Sequence, residues 1–148
     1  MKLLILKKAK IDHLNLLYKW HNLKSVLKNS IKGKKFKFSD HKKWFLNQQK
    51  YKNIIKIIYL NKIPIGSIRL QKKKNSFYIS YMIAPKFRKK GFAYKALIMF
   101  LKSIKSSKYK KIIALVKNNN KPSINIFEKL NFKLILKKSG ILKFQYIL

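Results

Sequence analysis

Residues 76–100, SFYISYMIAPKFRKKGFAYKALIMF, constrain the fold more than any other stretch of the chain. Polar and apolar residues alternate as in a strand up to Ala84, and Pro85 stops the pattern. A basic turn containing Gly91 follows. Apolar residues then recur at helical spacing, at Ala93, Ala96, Leu97, Phe100, Leu101 and Ile104. A strand, a tight basic turn and a helix make a place for phosphate. The first N–H groups of a helix have no intrahelical partner and carry partial positive charge, so an anion rests there readily. The segment reads as a holder for pyrophosphate, with chemistry at the end of the strand before it.

At 148 residues the chain is expected to form a single domain, 1–148, large enough to bury a core. An apolar fraction of 47% argues against disorder, yet no apolar run approaches the ~20 residues of a membrane-spanning helix. The start, MKLLILKKAK, lacks a small-residue cleavage site and reads as a first strand in a cytoplasmic protein. Without cysteine, disulfides, thiolate catalysis and Cys-ligated zinc are excluded, and no metal is expected.

The formal charge of +35 would ordinarily suggest nucleic acid. Arg69 and Arg88 are the only arginines, however, and the lysines are spread along every segment. Base readers depend on arginine forks and clustered charge, so the balance argues against nucleic acid and for anionic small molecules.

Along the chain, a strand at 3–8 precedes a helix that Asp12 would cap, with Leu14, Leu17, Tyr18 and Trp20 as its apolar residues. A short helical piece carries Val26 and Leu27; 29–38 reads as loop, and Ser39 would cap a helix starting at Asp40. Strands at 54–60 and 63–70 suggest a hairpin around Asn61-Lys62, and 72–75 a turn into the long strand. The central helix would run to about Ser107. Then come a buried strand at 111–116, an asparagine turn, a helix with Pro122 in its first turn, and strands at 132–136 and 144–148 around Gly140. The expected class is α/β (α+β): a mixed sheet of six to seven strands, order βααβββαβαββ, with helices on both faces.

Two motifs now support a family. Arg88-Lys89-Lys90-Gly91-Phe92-Ala93 resembles the Arg/Gln-x-x-Gly-x-Gly/Ala signature of the GNAT acyltransferases. Asn120-x-x-Ser123-x-x-x-Phe127-Glu128-Lys129-Leu130-x-Phe132 resembles the superfamily's second signature, and the element order matches over nearly the whole chain. The resemblance implies an acetyl-CoA-dependent N-acetyltransferase in which an amine attacks the thioester directly. Acetyl-CoA would lay its pyrophosphate on Lys89, Lys90, Gly91, Phe92 and Ala93, with Arg88 adding charge and Asn120, Ser123 and Phe127 alongside. Its pantetheine arm would pair with the backbone of Tyr81, Met82 and Ile83, where a bulge is expected to splay the strand from its neighbour. An N–H of Met82 or Ile83 would polarise the carbonyl.

The family often places a tyrosine where this chain has Phe127, leaving the acid that protonates the thiolate to be sought among Tyr78, Tyr81 and Tyr94. Tyr94 enters the expected catalytic set. Asn131 stands where glycine is usual, and asparagine tolerates left-handed geometry. With only Asp12, Asp40 and Glu128 as carboxylates, His41 is the candidate base, or else an acceptor contact. His13 reads as a surface residue.

Trp20-His21-Asn22, the Val26–Ser30 segment and His41-x-x-Trp44-Phe45 are similar to N-acetyltransferases of UDP-linked 4-amino-4,6-dideoxy sugars, on the path to pseudaminic acid for flagellin glycosylation. That likeness implies a nucleotide-sugar acceptor held by Trp20, His21, Asn22, His41 and Trp44. The same fold could instead acetylate a ribosomal-protein N-terminus, or bind CoA without turnover. A homodimer is compatible with the sequence.

Overall fold

The computed structural model describes residues 2–51, 53–105 and 110–148. Seven strands form one mixed sheet in the order β1-β2-β3-β4-β5-β7-β6. They are β1 (Leu4–Lys8), β2 (Ile54–Leu60), β3 (Ile63–Lys73), β4 (Ser76–Ile83), β5 (Lys111–Lys117), β6 (Lys133–Lys138) and β7 (Ile141–Ile147). β4 and β5 run parallel, and every other neighbouring pair is antiparallel. The helices are α1 (Leu14–His21), α2 (Lys24–Asn29), α3 (Phe38–Lys50), α4 (Phe92–Ile104) and α5 (Lys121–Lys129). No helix among the described residues is long and apolar enough to cross a membrane.

Strand alternation sorts the residues between two cores. Ile58 of β2, Ile65, Ile68 and Leu70 of β3, and Ile79 and Ile83 of β4 face α4 and α5, against Ala96, Leu97, Phe100 and Phe127. The opposite faces of β2 and β4 supply Ile55, Ile57 and Met82 to a smaller core, with Leu14, Leu17 and Trp20 of α1 and Phe45 of α3. Each side chain fully buried this way contributes about 1.5–3 kcal/mol. The expectation of a mixed sheet with helices on both faces therefore holds.

Several details differ from the sequence reading. Three helices, not two, separate β1 from β2, because the piece around Val26 and Leu27 closes as α2. Neither expected cap forms: α1 begins after a 3-10 turn at Ile11–His13, and α3 begins at Phe38 behind Lys37, with no side-chain cap bond at either start. Packing of Leu14 and Phe45 outweighs the worth of a cap, about 1 kcal/mol. β3 extends to Lys73, shortening the turn before β4, and β6 and β7 are displaced from the expected strands. α4 ends at Ile104; the expected extension to Ser107 lies partly outside the described residues. His13 is not a free surface residue. It accepts from Lys10 N–H through Nδ1 (2.9 Å), so its Nε2–H meets the Tyr59 hydroxyl (2.8 Å).

The hairpin turn at Asn61-Lys62 has both residues at positive φ, the primed geometry that matches strand twist. Asn131 is left-handed too, at φ 68°.

The expected bulge in β4 is absent. β3 and β4 pair one to one from Gly66↔Ile83 to Lys73↔Ser76. The irregularity lies instead between β2 and β3, where the register shifts between Ile58 and Tyr59 and Ile65 is skipped. Gly66 sits beside that shift. A Cβ there would collide with the Met82 carbonyl and press on Ile83, so β3 can approach the end of β4 only without a side chain. Gly66→Ala is therefore expected to destabilise the protein by about 2–4 kcal/mol. Urea denaturation measures this, and a change below about 0.5 kcal/mol would contradict it.

Candidate functional site

β4 and β5 pair only at Phe77↔Ile112 and Tyr78↔Ile113, although both strands continue for several residues. Beyond Tyr78 they part. The orientation of the open edge follows from the ladder. Ala84 N–H donates to Ile65 O (2.7 Å), and in an antiparallel pair every second residue turns its N–H and C=O to the same neighbour. Met82 and Ser80 thus address β3, while Tyr81 and Ile83 address the gap. Arg88 corroborates this, since its Nε donates to Ile83 O from outside the ladder (2.8 Å). Of the two residues expected to polarise a carbonyl, Ile83 presents its N–H to the gap. Met82 does not, and its side chain packs on the α1–α3 core.

The turn after β4 winds through Lys89 (φ 60°) and Gly91 (φ 81°) into α4. Gly91 is the residue before the helix, no side chain caps it, and a Cβ there would point into open space. The left-handed backbone, rather than crowding within the protein, is what requires glycine. The N–H groups of Phe92 and its successors open α4 without a side-chain cap, the backbone arrangement an anion cradle requires. Arg88 also has a structural part: its Nε ties the turn back to β4, and burial lowers its pKa.

Across the gap, the Tyr81 and Ser123 side chains share a hydrogen bond of 2.7 Å. The Tyr81 ring packs edge-on against Phe127, at 5.9 Å. Burial raises the phenol's pKa, outweighing the hydrogen bond from Ser123, so the hydroxyl keeps its proton. Tyr94, on α4, has Lys129 Nζ of α5 4.4 Å from its ring centroid. Phe127 is a core residue, 3% exposed among Tyr81, Phe132 and Phe144, and is not available to touch a ligand. Asn120 uses its side-chain oxygen to cap α5 at Ser123 N (3.4 Å).

On the other face of the sheet, α1, α3 and β3 bring together His21, His41, Trp44 and Arg69. The Arg69 guanidinium lies over the Trp44 ring at 5.2 Å, and His41 is 5.4 Å from Trp44 and 6.2 Å from His21. His21 stacks on Phe36 at 4.6 Å and its Nε2–H donates to Lys34 O (3.2 Å). Asn22 is occupied as a clamp: its amide donates to Phe36 O (3.2 Å) and accepts from Phe36 N–H (3.1 Å). Trp20 is buried in the α1–α3 core and does not reach a ligand, because its place on α1 follows the same apolar face as Leu17.

His41 is 2% exposed, and among the described residues neither ring nitrogen has a hydrogen-bond partner. Burial, then His21 and Arg69, lower its pKa to about 4. Arg69 was not among the residues singled out from the sequence. A lone arginine in a strand between Ile68 and Leu70 was the available signal, masked by the abundance of lysine.

The acetyltransferase (GNAT) domain family matches residues 4–133. The chain belongs to that family. It is accordingly an acetyl-CoA-dependent N-acetyltransferase. Similar folds include a domain from Methanocaldococcus jannaschii (24% identity, all of both chains, TM-score 0.88). The ribosomal-protein-alanine N-acetyltransferase of Brucella melitensis is also similar (16% identity, 97% of this chain and 99% of that one, TM-score 0.82). So is the phosphinothricin acetyltransferase of Sinorhizobium meliloti in complex with acetyl-CoA (15%, 98% and 88%, TM-score 0.83). No curated protein matches the chain in sequence.

For a GNAT enzyme, a base with a pKa near 4 is poorly matched to catalysis at neutral pH. At 2% exposure His41 is matched neither to proton transfer at neutral pH nor to direct contact with a ligand. It couples stability to pH. Between the ordinary 6.5 and about 4, the unfolded chain takes up a proton that folded His41 refuses, so stability falls as pH drops through that window. At pH 5 the deficit is roughly 2 kcal/mol. Urea denaturation at pH 7 and pH 5 should show this excess loss in the wild type relative to His41→Leu; equal losses in both would contradict it.

Proposed function

We propose that the protein acetylates the amino group of a nucleotide-linked amino sugar. The observation that carries this reading is Arg69. It is half-buried, burial lowers its pKa, and among the described residues it makes no ion pair or hydrogen bond, only its contact with Trp44. Removing a cation from water is costly unless an anion arrives. Asp12, Asp40 and Glu128, the chain's only carboxylates, are all exposed.

Acetyl-CoA is a poor source of that anion. Its phosphates are expected at the turn into α4, and α4 packs on the opposite face of the sheet from Arg69 and Trp44. The anion on the α1–α3 face then belongs to the acceptor. A nucleoside diphosphate joins such a charge to an aromatic base, which suits the partly exposed cluster of Arg69, Trp44, Phe36 and His21. The likeness of Trp20-His21-Asn22 and His41-x-x-Trp44-Phe45 to acetyltransferases of UDP-linked amino sugars supports the same acceptor.

In this reading the pantetheine amides complete the open edge of β4. The amine attacks the thioester carbonyl, whose oxygen gains charge facing Ile83 N–H. The carbon–sulfur bond breaks, Tyr81 donates its proton to the departing thiolate, the amine's proton passes to water, and the Tyr81 phenolate is reprotonated from water. A sugar amine of pKa about 8 is largely available without a strong base, and positioning supplies most of the acceleration.

Thiol release from acetyl-CoA tests the acceptor. Turnover is expected with a UDP-linked 4-amino-4,6-dideoxy sugar. Arg69→Gln should raise the KM for that sugar at least tenfold while leaving the KM for acetyl-CoA within twofold. Turnover confined to a ribosomal-protein N-terminal peptide would overturn the reading in favour of protein acetylation.

A further inference from the structure

A cavity of about 380 Å³ lies between α2 and the start of α5, lined by Ser25, Lys28 and Asn29 on one side and Asn119, Asn120 and Pro122 on the other. Its volume falls within the range of small-molecule sites. Its place is determined by the fold. Lys117 Nζ at the end of β5 donates to Lys28 O (2.8 Å), tethering the last turn of α2 over that strand end. Asn120 and Pro122 line the cavity, and the next residue, Ser123, bonds Tyr81 on β4. The cavity therefore adjoins the end of the sheet where β4 and β5 have parted.

The lining is chemically selective. It contains one hydroxyl, three carboxamides and one ammonium group, without a carboxylate. An amide both donates and accepts, as a hydroxyl does, so a wall of amides suits a polyol better than an alkyl chain or a bare charge. Asn120 has committed its oxygen to the helix cap, but the side chains of Ser25, Asn29 and Asn119 make no hydrogen bond to any described residue.

We propose that this cavity is an acceptor subsite that reads the hydroxylated, uncharged part of the substrate, with Ser25, Asn29 and Asn119 as specificity-determining contacts. The proposal deepens the amino-sugar reading and rests on it for the identity of the natural acceptor. It accounts for the separate elements on the acceptor side: Arg69 holds the anion, while the α2–α5 cavity holds the ring beside the gap.

Two measurements test it. In steady-state kinetics with the UDP-linked amino sugar, Asn29→Ala combined with Asn119→Ala should raise the acceptor KM about five- to twentyfold. The KM for acetyl-CoA should stay within twofold and the melting temperature unchanged. A rise in the acetyl-CoA KM instead, or an unchanged acceptor KM, would overturn the proposal.

The second measurement does not depend on turnover. The side-chain amide NMR signals of Asn29 and Asn119 are followed while free glucosamine, and then the UDP-linked sugar, are titrated in. Shifts with glucosamine in an enzyme that never turns over the nucleotide sugar would uphold the subsite and reject the nucleotide-sugar reading. Still signals with both sugars would reject the subsite even if the nucleotide sugar is acetylated.

Discussion

The structure depends on a ladder left incomplete. β4 is paired along its whole length with β3, but with β5 only at Phe77 and Tyr78. Backbone N–H and C=O groups that lose a strand partner must find another. The N–H groups of Tyr81 and Ile83 look into the gap, where an amide-containing ligand can take the place of the missing strand. Gly66 allows β3 to press against the last residues of β4, and the Arg88–Ile83 bond holds the following turn against the same strand end. The parted edge and the anion cradle at Gly91 are thus built as one unit.

The sheet differs in chemistry between its two faces. Its α4–α5 face is apolar to the end of β4 and carries the donor turn and the Tyr81–Ser123 pair. Its α1–α3 face holds a half-buried arginine that has no counter-ion among the described residues. Such a group weakens a protein that binds nothing, and a ligand that satisfies it recovers the cost on binding. With 38 basic and 3 acidic residues the enzyme has little internal means of doing so. Most of that charge is solvated lysine, and its total says less about function than one arginine out of water.

The strand, turn and helix of the candidate donor site were largely legible in the sequence, because their determinants are local. Strand alternation, Pro85, Gly91 and the apolar spacing after it lie within one short segment. Asn131 was likewise readable, since left-handed geometry restricts residue choice. The acceptor half depends on contacts between residues far apart in sequence, such as Arg69 on Trp44 or Tyr81 on Ser123, and periodicity cannot show these. Asp12 and Ser39 looked like helix caps, but burial of Leu14 and Phe45 decided where α1 and α3 begin. The bulge expected in β4 is not there; the register shift lies between β2 and β3, beside Gly66 on the neighbouring strand.

Amide hydrogen exchange at Tyr81 and Ile83 tests the central claim most directly. In the free enzyme both protons should exchange much faster than those of Met82 and Ser80, which are bonded to β3. Saturation with acetyl-CoA should slow Tyr81 and Ile83 by tenfold or more, and Gly91→Glu should prevent that slowing. Equal protection of all four protons in the free enzyme, unchanged by acetyl-CoA, would mean that the edge of β4 is not where the donor binds.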